Sequence, residues 1–206
     1  MNNIKVKIGT IGIVIALIIA AGYYYTIKKR TINNELLAEI SQIQMSDIVL
    51  GHSDAPQSII IFFDYNCQFC KRFFQDAYPK LNKEYIQTGK VNLVIKLVCG
   101  VNDKFALRAY QTVICINNYG KLEKLHKLLL HESKVIYTEQ FNMLIEDYIS
   151  TNELVGECIL ESDNASVLSN IYQFDQLKTK GTPTFVINNK VMKGYKNYKA
   201  IINKLK

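Results

Sequence analysis

The stretch SIIIFFDY at 58–65 is apolar and largely β-branched or aromatic without interruption until Asp64, the pattern of a strand buried on both faces. KVNLVIKLV at 90–98 has the same character. Between them, Phe73, Phe74, Tyr78, Leu81 and Tyr85 recur at near-helical spacing over 71–85, so the segment predicts a βαβ unit. From about 103 to 178 the pattern is helical almost throughout. Ala106, Tyr110 and Val113 form one stripe, Leu122, Leu125 and Leu129 another, and Gly120 separates them. The segments 142–149, 153–160 and 165–174 continue it. PTFVINNKVMKG at 183–194 predicts two strands about Asn188-Asn189, and YKNYKAIINKLK closes the chain as a helix. Strands on both sides of a helical block predict a single α/β domain over 47–206 with a helical insertion at about 103–178.

Ahead of this domain, IGTIGIVIALIIAAGYYYTI at 8–27 carries no charge. Twenty helical residues at about 1.5 Å each match a hydrocarbon core of about 30 Å, which predicts an N-terminal transmembrane helix. Tyr23, Tyr24 and Tyr25 stand at its far end, where amphipathic rings favour the membrane interface. A signal anchor is the preferred reading of residues 1–30. A cleaved signal peptide is the alternative, with Ala20 and Gly22 at the small positions before a cut. Either sends the remainder out of the cytoplasm, where disulfides persist. TINNELLAEISQIQMS at 31–46 predicts a polar helical linker.

Composition adds little. At 49% hydrophobic and 21% charged, the 206 residues are globular rather than disordered. The net charge of +7 would suit a nucleic-acid binder, but five of the basic residues precede position 31 with no acid among them. The remaining 20 basic and 18 acidic residues leave no electrostatic footprint for nucleic acid.

The chemistry lies in five cysteines, an odd number that permits two disulfides and one free thiol. Cys67 and Cys70 form a Cys-x-x-Cys pair where a strand ends and a helix begins. Zinc would need four ligands, and there is no second such pair; the one His-x₄-His spacing, His126 and His131, lies far along the chain in the helical block. His126 and His131 read as surface residues and His52 stands alone, so no metal and no cofactor is expected. A redox dithiol fits better. Unpaired N–H groups and the dipole at a helix start stabilise a thiolate at Cys67, and one turn on, Cys70 can attack a mixed disulfide formed there. Pro183 in KGTPTFVIN precedes a β run, a place for an edge-strand proline or a cis-proline; beside a dithiol the cis form gains weight. Asp64 is a candidate proton relay, or equally a turn or capping residue. Cys99, Cys115 and Cys158 read as buried thiols or, in an oxidising compartment, as a bonded pair plus one.

FFDYNCQFCKRF, GTPTFVIN, the lead-in LGHSDAPQSIIIFFDY and the intervening helical block together resemble the DsbA-like thioredoxin-fold family of extracytoplasmic thiol:disulfide oxidoreductases, over about 47–206. The resemblance implies a thioredoxin fold with Cys67 as exposed nucleophile and Cys70 as buried resolving thiol. It implies that Pro183 is a cis-proline beside the pair, preceded by Thr182, whose backbone pairs with substrate. It also implies a structural Cys115–Cys158 bond, leaving Cys99 free. Exported cysteine-containing proteins would be substrates and a quinone-linked membrane oxidase the redox partner. The location would be the bacterial periplasm or the outer face of the inner membrane, tethered or secreted. Two positions depart from the family pattern: Gln68 and Phe69 occupy the space between the cysteines, and Ile61 stands where some relatives bury an acid. A disulfide reductase or isomerase of the same fold, and a tethered metal-binding module using the pair, are the alternatives. An isomerase usually needs a dimerisation domain, for which 31–46 is short.

Overall fold

Strand β2 (Ser58–Phe63) is the centre of the sheet, and its sequence explains why: five of its six residues are fully buried. It pairs in parallel with β3 (Asn92–Leu97), from Ser58 opposite Asn92 to Phe63 opposite Leu97. On its other side runs β4 (Thr184–Ile187), antiparallel, with Ile61 opposite Phe185. Strand β1 (Ile48–Leu50) and strand β5 (Lys190–Lys193) are the antiparallel edges, giving the order β1-β3-β2-β4-β5. This computed structural model describes the backbone of residues 2–205 and the side chains of residue 15, of 17–28 and of 33–205.

The sheet has helices on both faces. Phe63 points towards helix α2 (Gln68–Asp76), with its ring 5.3 Å from Phe74. Phe62 points the other way, 5.4 Å from Phe174 of the last helix of the insertion. The helix expected at 71–85 is broken. After α2 comes a short α3 (Tyr78–Leu81) and then a π-helical turn (Asn82–Ile86). Pro79 accounts for the break, since it has no N–H to give the carbonyl four residues back.

The insertion consists of α4 (Lys104–Tyr119), α5 (Glu123–Glu132), a 3₁₀ segment (Ser133–Tyr137), α6 (Glu139–Thr151), α7 (Glu153–Glu161) and α8 (Ala165–Gln176). Asp103 caps α4 by accepting the Ala106 N–H at 3.0 Å. A bond between Cys115 and Cys158 ties α4 to α7. Asn188 and Asn189 both have positive φ, 48° and 58°, as the two-residue turn between β4 and β5 requires. Helix α9 (Tyr198–Leu205) ends the chain and buries Ile201 and Leu205.

The chain divides into two units, Met1–Glu39 and Ile40–Lys206. The first is formed by helix α1 (Asn2–Ile40), which runs through the apolar stretch and into the segment expected as a linker. Among the described residues no helix is long and apolar enough to cross a membrane. The expected span, 8–27, includes residues 8–14 and 16, whose side chains lie outside the described set.

One charged pair is wholly inside. Lys96 of β3 donates to both carboxylate oxygens of Asp47 at 2.9 Å, and neither side chain is exposed. Burial pushes the Asp47 carboxyl up, and the attraction of Lys96 opposes this. Lys96→Met is expected to destabilise the fold by about 3–5 kcal/mol, because it strands a buried carboxylate. Lys96→Met combined with Asp47→Leu is expected to recover most of that loss. Urea unfolding of the full chain measures both.

Candidate active site

Cys67 sits where the central strand hands over to a helix. The turn is set by Asp64, whose carboxylate Oδ1 accepts the Asn66 N–H at 2.7 Å while its carbonyl accepts the Cys67 N–H at 3.0 Å. Cys67 is the N-cap of α2, with extended backbone (φ −83°, ψ 116°), and its carbonyl takes the N–H groups of Cys70 and Lys71 at 3.1 Å. No side chain satisfies the first N–H groups of α2 through the usual oxygen cap. Cys67 makes no side-chain cap bond either, but its sulfur lies at this helix start, where the N–H groups of Phe69 and Cys70 favour its ionised form.

The Cys67 thiol is accordingly lowered to about 5. The leading cause is a hydrogen bond from the Cys70 thiol. Partial burial works against it, and the Thr182 side chain and the N–H groups of Cys70 and Phe69 add to it. The bond that the Cys67 thiol itself donates to the Thr182 carbonyl, 3.2 Å long, exists only while the sulfur is protonated. It opposes ionisation, and the converging donors outweigh it. Cys70 is fully buried, and burial followed by the neighbouring Cys67 pushes its thiol far up. One helical turn thus carries one ionised and one protonated sulfur. Across from them, the Thr182–Pro183 peptide is cis.

Asp64 is part of a wider network that carries no local sequence signal. Its carboxylate also accepts the Tyr110 hydroxyl of α4 at 2.5 Å. Burial raises its pKa, and the bonds from Tyr110 and Asn66 restrain the rise. The Asn66 side-chain amide donates to the Tyr137 hydroxyl at 2.9 Å, and Tyr137 donates to Asp103 at 2.7 Å. The insertion therefore grips the turn before Cys67 at two points. Residues 46 and 71 positions apart meet here, a separation that no periodicity reveals.

Cys99 is free and half-buried, and its thiol is pushed up to about 12 by burial, with Asp64 and Asp103 adding to the effect. Cys115 and Cys158 are bonded and stand apart from this turn, on α4 and α7. His126, expected at the surface, is instead tucked against Phe74 and Tyr65, with its Nδ1 2.6 Å from the Tyr65 hydroxyl; burial lowers it to about 4. The packing of α5 against α2 accounts for the difference. His52 and His131 are exposed. Among the described residues no group of three or more His, Cys, Asp or Glu is placed to hold a metal ion.

A family model described as thioredoxin matches residues 44–205. The chain belongs to this family. Disulfide bond formation protein D of Bacillus subtilis is 29% identical over 162 residues, an alignment covering 74% of this chain and 72% of that protein. A Rickettsia prowazekii protein, RP025, provisionally named a protein-disulfide oxidoreductase, is 26% identical; the match covers 75% of this chain but only 58% of the relative. The crystal structure of oxidised BdbD from Bacillus subtilis superposes with a TM-score of 0.62 at 23% identity, over 78% of this chain and 91% of that one. Wolbachia pipientis α-DsbA1 gives 0.63 at 22%, over 84% and 94%. Family, relatives and fold together place the chain among the DsbA-like thioredoxin-fold proteins, and the relatives' names support thiol:disulfide oxidoreductase activity.

The low pKa has a direct readout. In the reduced protein, alkylation at Cys67 is expected to follow a titration centred near pH 5 and to be nearly flat above pH 7, because the reactive species is the thiolate. Cys99 is expected to react appreciably only in strong alkali. Iodoacetamide rates resolved by peptide mass spectrometry check both.

Proposed function

We propose that this thiol:disulfide oxidoreductase introduces disulfides into exported proteins, with Cys67 as nucleophile and Cys70 as resolving thiol. The observation that supports this most is the Cys67 thiol held near 5 beside a buried, protonated Cys70. A stabilised thiolate favours the reduced dithiol over the disulfide, so the oxidised form readily takes electrons. In the forward reaction a substrate thiolate attacks Cys67 Sγ, the Cys67–Cys70 bond breaks, and Cys70 leaves and takes up a proton. A second substrate thiolate then attacks the mixed disulfide. The substrate departs with a new S–S bond, having lost two electrons and two protons, and Cys67 leaves as the stabilised thiolate.

Thr182 and Pro183 form the substrate-pairing edge in this reading, since the Thr182 carbonyl already lies within reach of Cys67. Asp64 is the proton relay for Cys70. It is a half-buried carboxyl of raised pKa in the turn before the dithiol, and its backbone N–H faces the Cys70 sulfur. The reduced dithiol needs a two-electron oxidant, for which a quinone-linked membrane protein is the fitting class. Residues 8–27 hold the protein at the outer face of the membrane, the tether suggested by their uncharged sequence. One neighbour in fold is described as a periplasmic thioredoxin-like protein, which agrees with an extracytoplasmic location.

Cys67→Ser is expected to abolish turnover and to form no covalent complex. Cys70→Ser cannot form the Cys67–Cys70 bond; its Cys67 thiolate is expected to attack disulfides of exported proteins, expelling one substrate thiolate, and to stay bonded to them because Cys70 is no longer there to displace it. Non-reducing gels blotted for this chain distinguish the two, and equal behaviour with no trapped partner would point to metal binding instead. The full chain is expected to stay with membranes through alkaline carbonate washing, and deletion of residues 1–30 to release it; a chain that washes off intact would overturn the tether.

A further inference from the structure

Within the helical insertion lies a groove that the redox chemistry does not use. Its walls are Phe105, Lys104 and Arg108 of α4, Ile136 of the 3₁₀ segment, and Phe141 and Ile145 of α6, enclosing about 280 Å³. That is room for a side chain or two rather than for a whole small-molecule ligand. Ile136, Phe141 and Ile145 form an apolar floor, and Phe105 is 63% exposed.

The groove is linked to the turn before Cys67 through Tyr137 and Asn66. The Phe105 ring lies 5.8 Å from that of Tyr137, and Tyr137 accepts a hydrogen bond from Asn66, the residue next to Cys67. Lys134 stands over the Tyr137 ring at 5.3 Å. Lys104, Arg108 and Lys134 have no carboxylate within ion-pair distance among the described residues. Nearby acids are engaged or lie to one side. Asp103 caps α4 and accepts from Tyr137, Asp64 holds the Cys67 turn, and Glu139 is held by Asn142 at the α6 edge. Asp163 stands on the other side of Lys104 and Arg108, and Lys134 of the 3₁₀ segment is felt by Asp64, so the α4 side offers the groove two cations, Lys104 and Arg108, that no ion pair among the described residues holds.

We propose that this groove is a specificity subsite for the substrate polypeptide, taking an apolar side chain and an adjacent acidic one from the segment flanking the reacting cysteine. The inference rests on the oxidoreductase reading above. A substrate bonded to Cys67 has two flanks; one pairs with the backbone at Thr182, and the other crosses Asn66 and Tyr137 towards Phe105. Phe105 and the floor take the apolar side chain, and Lys104 and Arg108 face the carboxylate. Opposite charges at an exposed site contribute mainly to encounter and register, and salt screens them.

The test uses the oxidised full chain in detergent and two reduced peptides that share one cysteine and one phenylalanine. They differ only in an aspartate or asparagine next to the phenylalanine, placed far enough from the cysteine that their thiol pKa values match. The aspartate peptide is expected to be oxidised about threefold to tenfold faster at low salt. The advantage is expected to shrink at high salt and to vanish in Lys104→Gln/Arg108→Gln, while oxidation of dithiothreitol, an uncharged reductant too small to reach the groove, is unchanged in that variant. Equal rates for the two peptides, or an advantage that survives in the double variant, would overturn the subsite and leave the oxidoreductase reading intact. Failure of the unsubstituted protein to oxidise even dithiothreitol would overturn both.

Discussion

The chemistry of this protein depends on the donors that converge on one sulfur at a helix start, the Cys70 thiol foremost among them. The first turn of any helix leaves its amides unsatisfied, and here a sulfur occupies the position where an oxygen cap would normally sit. The Cys70 thiol leads in stabilising the thiolate at Cys67, and the Cys70 and Phe69 N–H groups of that turn add to it. Cys70, one turn further, falls on the buried face of α2 and stays protonated. A difference of one helical turn thus divides two chemically identical groups into a nucleophile and a reserve thiol.

The sheet makes this division useful. β2 is flanked by β3 and β4, so the end of β2 and the start of β4 lie side by side. Cys67 follows the first and Thr182–Pro183 precedes the second, and their meeting is a consequence of strand order. The Asp47–Lys96 pair is buried in the same sheet, spanning the residue before β1 and the middle of β3. Buried pairs of this kind add little net stability, but they penalise any slip in register that would separate them.

Features coded by short-range pattern were legible in the sequence. The unbroken apolar run of β2, the Asn188-Asn189 turn and the helical stripes around Gly120 each reflect periodicity or backbone conformation within a few residues. Pro79 was legible in principle too: its missing N–H splits a helix that hydrophobic spacing alone made continuous. The grip of Tyr110 and Tyr137 on the turn before Cys67 was not legible. A tyrosine on a helical stripe reads as core, and nothing local distinguishes one whose hydroxyl reaches a carboxylate 46 positions away. His126 was misjudged for the same reason, because its surroundings come from α2 and from the residue after Asp64 rather than from its own helix.

The Cys115–Cys158 bond makes the protein an example of the product it is proposed to generate. The chain carries five cysteines, so this bond has to form in the presence of the reactive pair and of Cys99. In the folded protein the remaining thiol is a poor intruder, because burial pushes Cys99 up to about 12 and keeps it protonated at neutral pH.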